Sequence, residues 1–382
     1  MKIKQSQLVN RARGAVSSPQ NSASVTGGNI NIYDPQSTMQ PFSKRLPVTT
    51  WIRDTFFPGV ETFPTKHVLM DFYKNRQRVA PLVAEGSRSI NVKRDGFQTK
   101  IYTAPFINIS RPIDVDLLQS RQFGEQVFNS PMTPEDRALA LMQRDYNELD
   151  DMITRREEVM SAELLQTGKV TLTGYVDDTA TKVRTDTVDY GFENIINLTG
   201  ASQWDQANPK MLGDLQDAAA MVRMAGYDPS IALLGSNAAD EFLQDETILK
   251  LMDFRRADFG SIAPQENLKN GNGYTYLGRL RKPGIDLFQY DAWYWDDTDE
   301  KLKPYIDPDV VIVGSRDLGE ILYGAITQIP EDSNNFVTYE AIRVPKVSIN
   351  RDDDVKKLML KSRPIPKPLD VAAWAVINTK QK

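Results

Sequence analysis

Cysteine is missing from all 382 residues, and histidine occurs once, at His67. The first absence removes disulfides, thiolate metal sites, iron–sulfur clusters and cysteine nucleophiles. The second leaves two-histidine zinc motifs, paired-histidine iron sites and most imidazole relays without material. No apolar run approaches the ~20 residues needed to span a bilayer. The C-terminal stretch 371–377 is far too short, so no membrane partner is expected. The basic residues near the N-terminus have no apolar signal core behind them, which argues against a secretory leader. A phosphate loop is lacking too. Gly271-Asn272-Gly273 has no third glycine and no preceding apolar strand, so it reads as a turn.

What remains offers little for chemistry. The acidic run from Asp296 to Asp299 resembles half a calcium loop, but Lys301 stands where the sixth position needs glycine. Asp352-Asp353-Asp354 has no spaced partners. No carboxylate pair is singled out for glycoside chemistry. Tyr290, Trp293, Tyr294 and Trp295 could stack on a sugar, but their alternation suits a strand with one packed face better. The reading is therefore a non-enzyme with no catalytic residue, no metal site and no cofactor.

A net charge of −5 gives no global pull toward nucleic acid, yet the charge is segregated. Residues 1–50 carry six cations (Lys2, Lys4, Arg11, Arg13, Lys44, Arg45) against Asp34, and 17–28 are mainly Ser, Asn, Gly, Thr and Pro. Such a stretch cannot bury enough apolar surface to offset its ordering entropy, so it reads as an arm ordered against a neighbour, or else as a plain tail. Residues 74–105 hold seven cations, including Arg88, Lys93 and Arg94, against Glu85 and Asp95. Apolar and β-prone residues flank this block, and Asp95-Gly96 is a turn signal, so the expectation is a long two-stranded excursion with a basic end. Between 291 and 309 lie seven carboxylates, among them Asp296, Asp297, Asp299 and Glu300. Basic loop and acidic patch could meet between copies of the chain; both could equally be solvated faces.

The strongest helix signal runs over 134–166. Thr133 stands at its N-cap, Pro134 at the first helical position, and Gly168 at its end. Its apolar residues are Leu139, Met142, Tyr146, Leu149, Ile153, Met160 and Leu164, and the stripe breaks after Ile153. A rod of about 50 Å packed on a sheet fits this pattern better than a coiled coil. From about 190 to 330 the pattern is mixed. Helices are expected at 209–225 (cap Asn208, stop Gly226), from Ser236 to 243, and from Asp245 to 256. Strands are expected at 231–234, 274–277, 285–290, 293–295 and 310–313. Helices first and strands later suggest an α+β module. Strands at 347–349, 357–361 and 371–377 look like a return to the first domain.

Three stretches carry a family resemblance. One is Phe63-Pro64-Thr65-Lys66-His67-Val68 before the hairpin. The second is the helix end, Glu163-Leu164-Leu165-Gln166-Thr167-Gly168-Lys169-Val170-Thr171-Leu172-Thr173-Gly174. The third lies within 290–325, where Lys303-Pro304-Tyr305-Ile306-Asp307-Pro308-Asp309 precedes an apolar strand and Tyr323-Gly324-Ala325. The tail Lys361-Ser362-Arg363-Pro364-Ile365-Pro366, then Asp370, fits as well. This collinear series resembles the major capsid proteins of tailed bacteriophages, and more narrowly the phage lambda major head protein (capsid protein E) family with the Hong Kong 97-type fold.

The resemblance covers the chain beyond roughly residue 45. It implies an α+β architecture with an N-terminal arm (1–62), an extended β-hairpin loop with flanking strands (63–110) and a peripheral domain (111–188) with the spine helix 134–166. An axial domain (189–335) and strands returning to the peripheral domain (336–382) complete it. The implied function is self-assembly, as hexamers and pentamers, into the icosahedral head shell around packaged double-stranded DNA. Implied partners are a separate scaffolding protein, a portal and a decoration protein, with assembly in the host bacterial cytoplasm and residence in the virion. On this reading Arg88, Lys93 and Arg94 face Asp296, Asp297, Asp299 and Glu300 of a neighbour. Lys2, Lys4, Arg11 and Arg13 line the inner face and screen phosphates without sequence readout. The alternatives are a carbohydrate-binding or carbohydrate-active soluble protein using the Trp293–Trp295 region, and a connector or tail ring protein.

Overall fold

Two unbroken apolar runs, Ile231-Ala-Leu-Leu234 and Val310-Val-Ile-Val313, define the centre of the molecule in its computed structural model. Strands that read as continuous hydrophobic runs need cover on both faces, and both lie in the middle of a six-stranded sheet. The structure describes residues 48–73, 79–82, 85, 88–89, 91, 97–119, 133–175, 183–207, 209–245, 248, 273–330, 334–351 and 354–381. All of these belong to one compact unit, Lys44–Gln122 with Met132–Lys382.

The chain enters through α1 (Trp51–Phe56) and β1 (Gly59–Phe63). A hairpin of β2 (His67–Tyr73) and β3 (Phe97–Thr103) follows, then β4 (Ile107–Ile113), α2 (Val115–Gln119) and the long α3 (Pro134–Thr167). A second hairpin, β5 (Lys169–Tyr175) and β6 (Val183–Asp189), leads to β7 (Ile195–Asn197), α4 (Met211–Met224), β8 (Ile231–Leu234) and α5 (Ser236–Gln244). Next come β9 (Tyr274–Leu280), β10 (Ile285–Tyr290), the ribbon β11 (Trp293–Asp296) and β12 (Lys301–Pro304), and β13 (Val310–Gly314). The chain closes through β14 (Gly319–Gly324), β15 (Ile326–Gln328), β16 (Val337–Tyr339), β17 (Val344–Asn350), β18 (Val355–Ser362), β19 (Pro364–Pro368) and β20 (Trp374–Asn378).

The six-stranded sheet has the order β7-β20-β13-β8-β10-β9. Alternation along its central strands sorts side chains into two cores. Ile231, Leu233, Val310, Ile312, Trp374 and Val376 join Leu164 and Leu165 at the end of α3. Their neighbours Ala232, Leu234, Val311, Val313, Ala375 and Ile377 meet Leu215, Ala219 and Val222 of α4 and Phe242 of α5. Helices and strands thus interleave in this module, where the sequence suggested helices first. A three-stranded sheet, β17-β18-β4, lays Leu358 and Leu360 against Leu149 and Ile153 in the middle of α3. Another, β1-β14-β19, pairs β1 parallel and β19 antiparallel to β14.

Local chemistry explains the boundaries. Thr133 and Asp136 form a capping box, Pro134 takes the first helical position, and α3 runs 34 residues to Gly168 at φ 68°. Leu139, counted in the apolar stripe, is exposed, so the first turns of α3 lie outside this packing. Ser236 opens α5 rather than capping it. The cap is Gly235, where a Cβ would sit 2.3 Å from the Asp307 carbonyl oxygen. Helix α4 starts after Lys210, inside the expected 209–225. The helix expected from Asp245 to 256 falls almost wholly outside the described residues.

The last strand departs from expectation. Residues 344–368 do return to the spine helix, but β20 inserts between β7 and β13, in the six-stranded sheet. The reason is its composition: Trp374, Ala375, Val376 and Ile377 are all fully buried, and only a central strand covers both faces of such a run.

Candidate assembly surfaces

The extended hairpin is anchored at its base. β2 and β3 pair in register from His67 opposite Thr103 to Tyr73 opposite Phe97. Val68 and Ala104 are buried in the main core, and the Ala104 amide donates to the Lys66 carbonyl at 3.2 Å. His67, at the foot, is exposed with its Nδ1 3.1 Å from Thr103 Oγ1, a structural position. Beyond the strands, Val79, Leu82 and Arg88 are exposed. Lys93, Arg94 and the Asp95-Gly96 turn lie outside the described residues, as do Lys2, Lys4, Arg11 and Arg13.

The acidic patch resolves into a ribbon and its turn. β11 and β12 pair antiparallel, with Trp295 opposite Leu302 and Asp296 opposite Lys301. The cation between Asp296 and Asp299 is the Lys303 ammonium, 2.6 Å from Asp296 and also paired with Asp299. That bond, with the Thr298 amide, holds the Asp296 carboxyl below the usual range. Asp297 and Glu300 are exposed and in no ion pair among the described residues, and Glu300 has φ 50°. The aromatic alternation proves to be a strand with one packed face. Tyr294 packs on Tyr305, while Trp293 and Trp295 point outward. Within one chain no described ion pair joins Arg88 to this turn.

A buried node, unseen in the sequence, ties these parts to α3. The stripe breaks after Ile153 because the next position on that face, four residues on, is Glu157, with Glu158 beside it; both are buried. Glu157 accepts from Arg343 at 2.7 Å, Tyr323 at 3.0 Å and Arg53 at 3.1 Å. Arg343 also reaches Asp150 at 2.7 Å; burial works against its charge, but these carboxylates outweigh it. Glu158 accepts the second and third amides of α1, Ile52 and Arg53, at 2.9 Å each, and the Tyr290 hydroxyl at 2.8 Å. Burial pushes the Glu158 carboxyl up to about 7 against those three donors. The Tyr290 phenol is pushed up by burial and by the adjacent Glu158. On the outer side, Arg111 of β4 bridges to Asp145 at 3.0 Å and to Glu148. The signal for the node was the gap itself: a charged residue at a position the periodicity demands to be apolar.

Among the described residues no group of acidic and histidine side chains is arranged to hold a metal ion, and no helix is long and apolar enough to cross a membrane.

A prophage protein of E. coli CFT073 assigned as a capsid protein superposes with a TM-score of 0.60 at 19% identity, over 88% of this chain and 93% of its own. The two chains share a fold. A phage-related protein from Bordetella bronchiseptica RB50 (12% identity, 88% and 93% covered) and the capsid of an empty GTA particle (13%, 88% and 92%) each give a TM-score of 0.48. A search of curated proteins finds no match. The family is shown by its own model: that of phage major capsid protein E matches residues 37–377, and the chain belongs to this family. It is a bacteriophage major capsid protein, an oligomeric component of the head shell, located in the virion capsid.

Proposed function

We propose that the chain is a Hong Kong 97-type subunit that closes, as hexamers and pentamers, into an icosahedral shell around double-stranded DNA. It has no catalytic role of its own in this reading. The spine helix and the sheets at its flank form the peripheral domain, and the six-stranded sheet with α4 and α5 forms the axial domain at a capsomer's symmetry axis. The hairpin reaches over a neighbour, where Arg88, Lys93 and Arg94 meet the turn at Asp296, Asp297, Asp299 and Glu300. The arm residues Lys2, Lys4, Arg11 and Arg13 face inward, toward phosphates. A separate scaffolding protein, a portal and a decoration protein complete the head in the host cytoplasm.

The observation that supports this reading most is the hairpin. Its base is locked into the core by Val68 and Ala104, while Val79, Leu82 and Arg88 beyond it are exposed. A two-stranded excursion has too little core to be stable by itself, so a second copy supplies the missing surface. The test is expression with and without a scaffolding partner, followed by sedimentation and electron microscopy of the same fractions. Closed shells are expected; a monomer or dimer at every salt concentration would overturn the reading, and small rings would favour a connector. Arg88→Glu together with Lys93→Glu and Arg94→Glu is expected to lower shell yield. Unchanged yield and salt response would remove the charge pairing.

A further inference from the structure

The β11–β12 ribbon has one face that the described chain leaves largely exposed. Trp293 and Trp295 are two apart on β11 and share that face with Leu302, directly across from Trp295. They are 49%, 58% and 62% exposed. The other face is occupied by the Tyr294–Tyr305 packing and the Lys303 ion pairs. Trp293 is also held in place, since its Nε1 donates to Asp291 at 2.7 Å. A contiguous apolar patch with a charged rim marks an interaction surface, and tryptophan is the residue type most enriched at the anchors of such surfaces.

The extended loop carries the complementary pattern. Val79 and Leu82 are 92% and 100% exposed, and the cation Arg88 lies six residues beyond Leu82, up to about 20 Å in extended chain. The ribbon presents indoles and Leu302 next to Asp297 and Glu300, carboxylates in no ion pair among the described residues. Apolar group and cation on one side meet apolar group and anion on the other, which sets register as well as attraction.

We propose that the Trp293–Trp295–Leu302 face is the landing site for the extended loop of a second copy, with Val79 and Leu82 on the indoles and Arg88 at the Asp297–Glu300 turn. This rests on the loop reaching a neighbour and adds where it lands and what holds it there. The apolar face supplies the binding, and the charges set approach and orientation.

The sequence makes the test clean. Of five tryptophans, Trp204 and Trp374 are buried and Trp51 is half-buried, so Trp293 and Trp295 dominate the accessible indole. Acrylamide, an uncharged quencher, is titrated against unassembled subunits and against shells. Assembly is expected to remove most of the quenchable fraction, and the W293F/W295F double variant to show little change. Because the chain has no cysteine, L82C and L302C can be combined in one chain, and oxidised shells should then give a ladder of linked subunits that neither single variant gives. Shells that form with unchanged quenching and no ladder would overturn the landing site while leaving shell assembly intact. Failure of the wild-type chain to form shells at all would instead remove the reading on which it rests. Protection of the indoles by oligosaccharides in unassembled subunits, without a ladder in shells, would assign the face to a glycan and overturn the proposal.

Discussion

Glu157 and Glu158 are consecutive on α3 and play different parts. Glu157 is a paired charge, held by Arg343 and Arg53, and breaking such a buried pair from one side is costly. Arg343→Ala is expected to lower unfolding free energy by about 3 kcal/mol in denaturant titrations of the unassembled chain. Glu158 is in no ion pair among the described residues; it is held by backbone amides and a phenol, and burial raises it from 4.5 to about 7 despite the charge of Arg53 nearby. The folded state therefore binds a proton that the unfolded chain has released between those values. Stability from this group falls as pH rises from about 4.5 to 7 and levels off above. Glu158→Gln is expected to flatten that part of the stability–pH curve. An unaltered slope in the variant would assign the dependence to other groups.

At the scale of elements, α3 is defined by its ends. Its capping box satisfies amides that the helix leaves open, so Thr133→Ala is expected to cost about 1 kcal/mol. Gly168 is more demanding. Its φ of 68° favours glycine, and a Cβ there would lie 2.0 Å from Phe192 Cβ, whose ring stacks on Trp374 at 4.8 Å. Gly168→Ala is expected to cost more than about 2 kcal/mol, since strain and overpacking act together. Thermal melts of the two variants should rank in that order; equal shifts would mean that the Phe192 contact relaxes freely. The caps of α3 were legible because they depend on nearest neighbours. The Gly235 cap of α5 was not, because it depends on the Asp307–Pro308 segment some seventy residues away.

For the whole molecule, stability and assembly are expected to be separable. The cores lie in the sheets and helices, and the exposed part of the hairpin contributes none of the buried side chains described. Replacing residues 75–95 by a short Gly/Ser turn is therefore expected to leave the far-ultraviolet spectrum and thermal transition nearly unchanged while abolishing shells. Loss of the folded signal as well would show that the loop supports its own subunit.

The sequence by itself set aside cysteine chemistry and paired-histidine sites, through the absence of cysteine and near-absence of histidine, and it determined the elements whose signals are local. The capped helix read at 134–166, the hairpin pairing of β2 with β3, the two-sided central strands and the alternation at 293–295 are of this kind. The order of those parts also carried the family. Only the tertiary structure decided where distant segments meet. It placed the final strand in the six-stranded sheet, brought Arg53, Tyr323 and Arg343 onto Glu157, and left Trp293 and Trp295 exposed. The physical reason is range: caps, turns and periodicity act within a few residues, whereas a buried charge finds its partners only once the chain has folded around it.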